Sequence, residues 1–218
     1  MRSIFAICAV MMALLLTGCA KPVSQDYSAF KQSKPRSILV LLPQNQSPEV
    51  NASHGMLSQV TLPLSEAGYY VLPVAVVEET FKQNGVTNAS DINAVSPEKL
   101  RKIFGADAVL YITVVQYGTS YQIISSDTRV SATAKLVDLK TGKVLWSGGA
   151  TASSNEGDNS SGGIIGMLVQ AAVSQIANTM TDKSHDIAGI TSTRMLSAGT
   201  PNGILYGPRS PQYGKDGN

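Results

Sequence analysis

Cysteine is almost absent from this sequence. The 218 residues hold two, Cys8 and Cys19, and only two histidines, His54 and His185. Cys8 lies inside an apolar leader, so removal of that leader would leave Cys19 alone. A single cysteine excludes an internal disulfide and a cysteine zinc site, and leaves stability to packing. The histidines lack His-x-x-His or His-Glu-x-x-His spacing, which points to exposed surface residues rather than metal ligands or general bases. Charge is sparse too: 15% of residues are Asp, Glu, Lys or Arg, against 43% hydrophobic. Without the leader's Arg2, sixteen basic side chains face fifteen acidic ones. That balance argues for neither a nucleic-acid partner nor a polybasic membrane patch. No run approaches the roughly 20 apolar residues that a spanning helix needs.

The N-terminus is where the sequence speaks most clearly. Arg2 precedes an apolar stretch from Ile4 to Leu16, and Leu16-Thr17-Gly18-Cys19 closes it. This is the layout of a bacterial lipoprotein signal. An ordinary signal peptide needs no cysteine after Gly18, and a transmembrane anchor would be longer. Cleavage before Cys19 would free its amine for acylation, while its thiol takes a diacylglycerol. Each buried methylene contributes about 0.8 kcal/mol, so two or three acyl chains hold a protein on a bilayer. Ala20 stands where Asp would favour retention in the inner membrane. The expectation is an outer-membrane lipoprotein facing the periplasm, with surface exposure as the other option.

The chain then divides into a signal peptide (1–18), a lipidated N-terminus and flexible tether (19–36), a globular α/β domain (37–182) and an irregular Gly/Pro-rich segment (183–218). Ile38 to Leu42 is a continuous apolar run ended by Pro43, the pattern of a strand buried on both faces. Gln44 to Glu49 reads as a polar loop. Met56, Leu57, Val60, Leu64 and Ala67 follow helical spacing up to Gly68, with Pro63 kinking the helix or splitting it in two. Tyr69 to Leu72 predicts a strand, and Val74, Val77 and Phe81 predict a short helix ended by Asn84-Gly85. Ser96-Pro97 opens another helix, with Leu100, Ile103 and Phe104 inward and Gly105 as its stop. Ala108 to Val115 is the most apolar strand and belongs at the sheet centre.

Tyr117-Gly118-Thr119 reads as a turn. From Val130 to Leu136 apolar and polar residues alternate, a half-buried antiparallel strand joined at Asp138 to Gly142 to its partner Val144 to Thr151. Ser153 to Gly163 is a loop, and Ile165 to Met180 carries a helical apolar stripe. Helices dominate the first half and a meander the second. The expected fold is α+β, with α/β content: a single domain built on a mixed sheet, helices mainly on one face.

No constellation here carries chemistry, and catalytic, metal and cofactor residues are all expected to be none. Glu78 and Glu79 are adjacent on a helix, about 100 degrees apart, and suit the dipole of a helix N-terminus better than acid–base work. Ser161-Gly162-Gly163 precedes Ile164-Ile165, not the Gly-Lys-Ser/Thr ending of a phosphate loop. Asp138, Thr141 and Gly142 have hairpin spacing. Ile204, Leu205, Tyr206 and Tyr213 in the C-terminal segment either wrap the domain or contact a partner, the former favoured.

Four stretches carry a resemblance: Gln59–Glu79, Phe104–Gln122, Ala134–Ser147 and Asn202–Tyr213. Together they closely resemble a family of proteobacterial lipoproteins of the neisserial vaccine-candidate type, a domain family of unknown function. Ile38–Pro43, Gly105-Ala106-Asp107 and Asp138-x-x-Thr141-Gly142-x-Val144-x-Trp146 are more distantly similar to CsgG-like lipoproteins and the TolB N-terminal domain. That likeness implies a TolB N-terminal-domain-like sheet and a role as envelope or transport auxiliary. CsgG inserts strands into a pore, whereas Thr119 to Val130 here is at most a short extension. The expected protein is a non-enzymatic interaction module, lipidated at Cys19 and held by the membrane. Its partners would be other envelope proteins, a CsgG-like lipoprotein among them, or a second copy in a homodimer. The alternative is a small-ligand-binding lipoprotein using a cleft between the strand ends and the loop after Thr151.

Overall fold

The computed structural model describes residues 25–121, 126–156 and 183–216. Its centre is a six-stranded mixed sheet. The strands are β1 (Ser37–Val40), β2 (Gln44–Asn45), β3 (Tyr70–Val71), β4 (Ala108–Tyr121), β5 (Ser126–Asp138) and β6 (Val144–Ser153). The order is β3-β1-β4-β5-β6, with β2 paired to β4 just beyond β1. β1 runs parallel to β3 and β4, while β4, β5 and β6 form an antiparallel meander. The helices are α1 (Ser28–Ser33), α2 (Ala52–Gln59), α3 (Thr61–Glu66), α4 (Val74–Gln83), α5 (Ala89–Ala94), α6 (Pro97–Phe104) and α7 (Lys183–Leu196). A mixed open sheet with helices, in one domain, is the α+β fold expected.

The apolar run of β1 explains its place. Ile38, Leu39 and Val40 are at most 1% exposed, so both faces of this lane are covered. The meander differs. Val130, Ala132, Ala134 and Leu136 are buried, whereas Thr133 and Lys135 between them are exposed. α7 packs on β5 and β6 and buries Ile187, Ile190 and Leu196. Burial of such side chains stabilises by about 1.5–3 kcal/mol each.

Pro63 splits the long helical pattern. α2 ends at Gln59, α3 begins at Thr61 and Pro63 lies in its first turn, where a missing N–H costs nothing. Ser96 caps α6 by accepting from the Lys99 N–H at 3.3 Å, and Gly105 ends it at φ +68°.

Several expectations are corrected. Gln44 and Asn45 are not loop but pair with Thr113 and Val114, because the chain stays beside β4 after Pro43. Tyr117-Gly118-Thr119 is not a turn: β4 runs on to Tyr121 and pairs with β5 to Ser126, past a bulge between Val114 and Gln116. Ile103 is 48% exposed rather than inward. α5 was invisible in the apolar spacing, since Ile92 is its one buried residue. The flexible tether does not extend to residue 36: α1 lies within it and buries Phe30. Nor is 183–218 irregular from its start, because α7 occupies Lys183–Leu196. Its β-branched and small residues gave little periodic signal. The loop beyond Glu156 and the Ile165–Met180 stripe lie outside the described residues.

Trp146 is 1% exposed on β6, and its ring lies over Gly148, the next residue on that face. A Cβ on Gly148 would stand 2.2 Å from the ring. Gly148→Ala is therefore expected to lower thermal stability by about 1–3 kcal/mol through overpacking, checked by calorimetry. Ala on Gly85, where a Cβ meets nothing within 4 Å but φ is +75°, should cost less.

Candidate functional site

The two ends of the described chain meet. The Gln25 N–H donates to the Asn202 side-chain oxygen at 2.9 Å, and the Tyr27 hydroxyl to the Gly203 carbonyl at 2.5 Å. The Trp146 indole N–H donates to the Asn202 carbonyl at 2.9 Å. Further along, the Tyr69 hydroxyl donates to the Leu205 carbonyl at 2.5 Å. Burial, with the charge of Asp216 adding to it, pushes the Tyr69 phenol well above its ordinary pKa, so it stays a donor. The backbone of Gly207 donates to Ala67 at 2.7 Å and that of Arg209 to Gly68 at 3.1 Å. This crossing requires glycine on both sides. A Cβ on Gly207 would stand 2.6 Å from the Gly68 carbonyl oxygen, and Gly68 itself has φ +98°. Ile204 and Leu205 are 1% and 7% exposed, so this segment docks on its own domain, the favoured expectation. Tyr213, at 43%, stays outside.

A cavity of about 290 Å³ opens where the tail meets α1. Phe30, Tyr69, Leu205 and Tyr213 wall it, with Lys31 and Lys34 among its lining. A polar depression beside it is lined by Arg36, Tyr70, Asp107 and Arg209. Asp107 holds the start of β1, accepting from the backbone of Arg36 at 2.9 Å and of Ser37 at 3.1 Å. Arg209 lies over the Tyr70 ring, 5.2 Å from its centroid.

Asp138 organises the β5–β6 hairpin. One of its carboxylate oxygens accepts from the backbone of Lys140 at 2.9 Å, the backbone of Thr141 at 2.6 Å and the Thr141 hydroxyl at 2.9 Å. The other accepts from the Ser33 hydroxyl, tying α1 to the hairpin. Gly142 follows at φ +71°, so the hairpin reading of Asp138, Thr141 and Gly142 holds. Burial opposes ionisation of this carboxyl, but the hydrogen bonds from Ser33, Thr141 and Lys140 outweigh it and hold the pKa below the ordinary value.

The other sequence candidates do not converge. His54, its side chain 60% exposed, pairs with Glu78 at 3.0 Å. His185 on α7 contacts Gln59 at 2.6 Å and is partly buried, a partial correction to its expected exposure. Glu78 and Glu79 stand in the middle of α4 rather than at its N-terminus, and Glu79 accepts from Gln83 at 3.1 Å. Among the described residues no group of three His, Cys, Asp or Glu is placed to hold a metal. Cys19 and Ser161-Gly162-Gly163 lie outside the described residues. Sequence reasoning missed Asn202 as the clasp of the two ends and Tyr69 as an anchor of the tail. The one available signal was the aromatic pair Tyr69-Tyr70 directly after Gly68.

An open mixed-sheet α+β domain, its N- and C-terminal segments locked together, is thus the class this chain defines. The chain belongs to the GNA1162-like lipoprotein family, whose profile matches residues 25–209. It is 57% identical to the lipoprotein NMB1124/NMB1162 of Neisseria meningitidis serogroup B over 202 residues, 92% of this chain and 93% of the relative. The crystal structure of lipoprotein GNA1162 from Neisseria meningitidis is similar at a TM-score of 0.54 and 62% identity, covering 66% of this chain and all of that one. A lower likeness, TM-score 0.42 at 14% identity over 80% of this chain and 91% of the other, is to the PelC dodecamer of Paraburkholderia phytofirmans. At that level it bears on neither function nor assembly.

Because the folded pKa of Asp138 is depressed, its stabilisation is fully present above the unfolded value of about 3.9 and is lost as pH falls through the lower folded value. Asp138→Asn should therefore cost about 1–3 kcal/mol at pH 7 and flatten the acid limb of a denaturation series between about pH 5 and 2.

Proposed function

We propose that this chain is a non-enzymatic interaction module, acylated at Cys19 and facing the periplasm from the outer membrane, within an envelope or transport assembly. Membership of a lipoprotein family and the Leu16–Cys19 signal support the anchorage. The observation that carries the interaction reading is the β4–β5 hairpin. Thirteen of the fourteen residues of β4 pair with the thirteen of β5, Val115 standing in the bulge, whereas β1 has four residues. At about 3.4 Å per residue β4 spans more than 40 Å, so it projects well past the β1 lane. Thr133, Lys135, Ser147 and Thr151 are exposed along the meander, and Val115 is 46% exposed on β4. Extended strands with uncovered polar positions suit a protein partner, either another envelope lipoprotein or a second copy of this chain.

Photo-crosslinkers placed at Val115 and Thr133, in cells making the acylated protein, test this. The expected outcome is a discrete adduct with one envelope protein or with a second copy, and loss of both adduct and membrane association in Cys19→Ser. Adducts spread over unrelated proteins, or none, would sink the interaction reading.

The cavity between α1 and the tail favours a second reading, a small-ligand-binding lipoprotein. Its apolar wall and two lysines, set against the single carboxylate of Asp216, suit an amphiphile with an anionic group, in a place other than the cleft expected near the loop after Thr151. A ligand of that class should raise the melting temperature, and Tyr69→Phe with Lys31→Ala should reduce the rise. A screen of anionic amphiphiles without any shift would remove this reading.

A further inference from the structure

Although the sequence is almost neutral, the fold sorts its charges. Lys31 and Lys34 stand at the end of α1, Arg36 just before β1, Lys140 and Lys143 in the β5–β6 hairpin, and Arg209 in the tail, and all six are exposed. Contacts among these segments bring them to one end of the sheet. The Ser33 hydroxyl reaches Asp138 in the hairpin, and the Leu139 N–H donates to the Asp107 carbonyl at 2.9 Å. Asp107 in turn holds Arg36 and shares a depression with Arg209.

The acids at this end are largely turned inward. Asp138 is 6% exposed, Asp107 caps β1, and Asp216 accepts from the Tyr206 N–H at 2.6 Å. Among the described residues, Asp26 and Glu66 are the carboxylates that stay exposed beside it.

A second, independent observation says what faces this end. The chain is pinned from Gln25 onward by Asn202, which also holds Trp146, the third residue of β6. Six peptide units separate Cys19 from Gln25, and covalent geometry limits their span to about 20 Å. A chain acylated at Cys19 keeps this end within that distance of the bilayer, and exposed cations gain on close approach, inside a Debye length of about 8–10 Å.

We infer that the end of the domain formed by α1, the β5–β6 hairpin and the Arg209 segment is a docking surface for an anionic phospholipid bilayer. It sets the domain upright on the membrane with the β4–β5 hairpin pointing away. The orientation rests on the Cys19 anchorage proposed above, whereas the affinity of the surface does not.

The processed chain, residues 19–218 with Cys19→Ser, is mixed with vesicles of phosphatidylcholine alone or with 30% phosphatidylglycerol added, and sedimentation reads the bound fraction. The expected result is binding to the anionic vesicles only, lost as salt rises, and weakened about tenfold or more by Lys31→Glu with Lys140→Glu, given about 1 kcal/mol per basic side chain at such a surface. Lys99→Glu with Arg129→Glu makes the same charge change elsewhere and should leave most of the binding. No binding to anionic vesicles, or equal loss in both pairs, overturns the proposal. The mass of the wild-type protein extracted from membranes separately reports acylation, so failure of the anchorage and failure of the surface are distinguishable.

Discussion

Everything in this molecule is hung on the first half of β4. Ala108, Val109 and Leu110 are fully buried, and they pair with β1 on one edge and β5 on the other. One edge is parallel and requires crossovers, which supply α2 to α6. The other is antiparallel and needs only tight hairpins. The burial of three consecutive side chains therefore fixes both halves of the topology at once. The remaining strands and helices can be laid against β4 in only one register without exposing its apolar residues.

Much of this was legible because periodicity and punctuation agree in the sequence. The Ile38 run, the Ser96-Pro97 cap, the Gly105 stop and the Val130–Leu136 alternation each report a local cause that the fold keeps. What was not legible depends on distant partners. Gln44 and Asn45 are polar, and nothing nearby tells that Thr113 and Val114 will pair with them. α1 looks like a tether until Asn202, Gly203 and Asp138 arrive to hold it. α7 mixes glycine, threonine and serine with its apolar residues, and its interior position comes from the sheet it covers. Gly118 misled in the other direction, since a glycine in a long bulged strand reads locally as a turn.

The candidate site shows the same division more sharply. The hairpin reading of Asp138 to Gly142 and the self-docking reading of the tail both survive. Charge was the property that composition hid. Sixteen bases and fifteen acids outside the leader average to near neutrality, yet residues more than 170 positions apart, such as Lys31 and Arg209, end on one surface. Of the acids near them, Asp107 caps β1, Asp138 closes the hairpin and Asp216 holds the tail, while Asp26 and Glu66 stay exposed. Local structural need for three of the carboxylates thus leaves the cations in excess on the outside.

The clasp between Gln25 and Asn202 spans 177 residues, and the Tyr27 to Gly203 bond spans 176. Contacts of such separation close late, because loop entropy is spent before they form. A chain delivered N-terminus first therefore holds α1, Trp146 and Tyr69 without their partners until almost its last residues arrive. The clasp thus acts as a timer: the domain completes itself only once its C-terminal strap has been delivered.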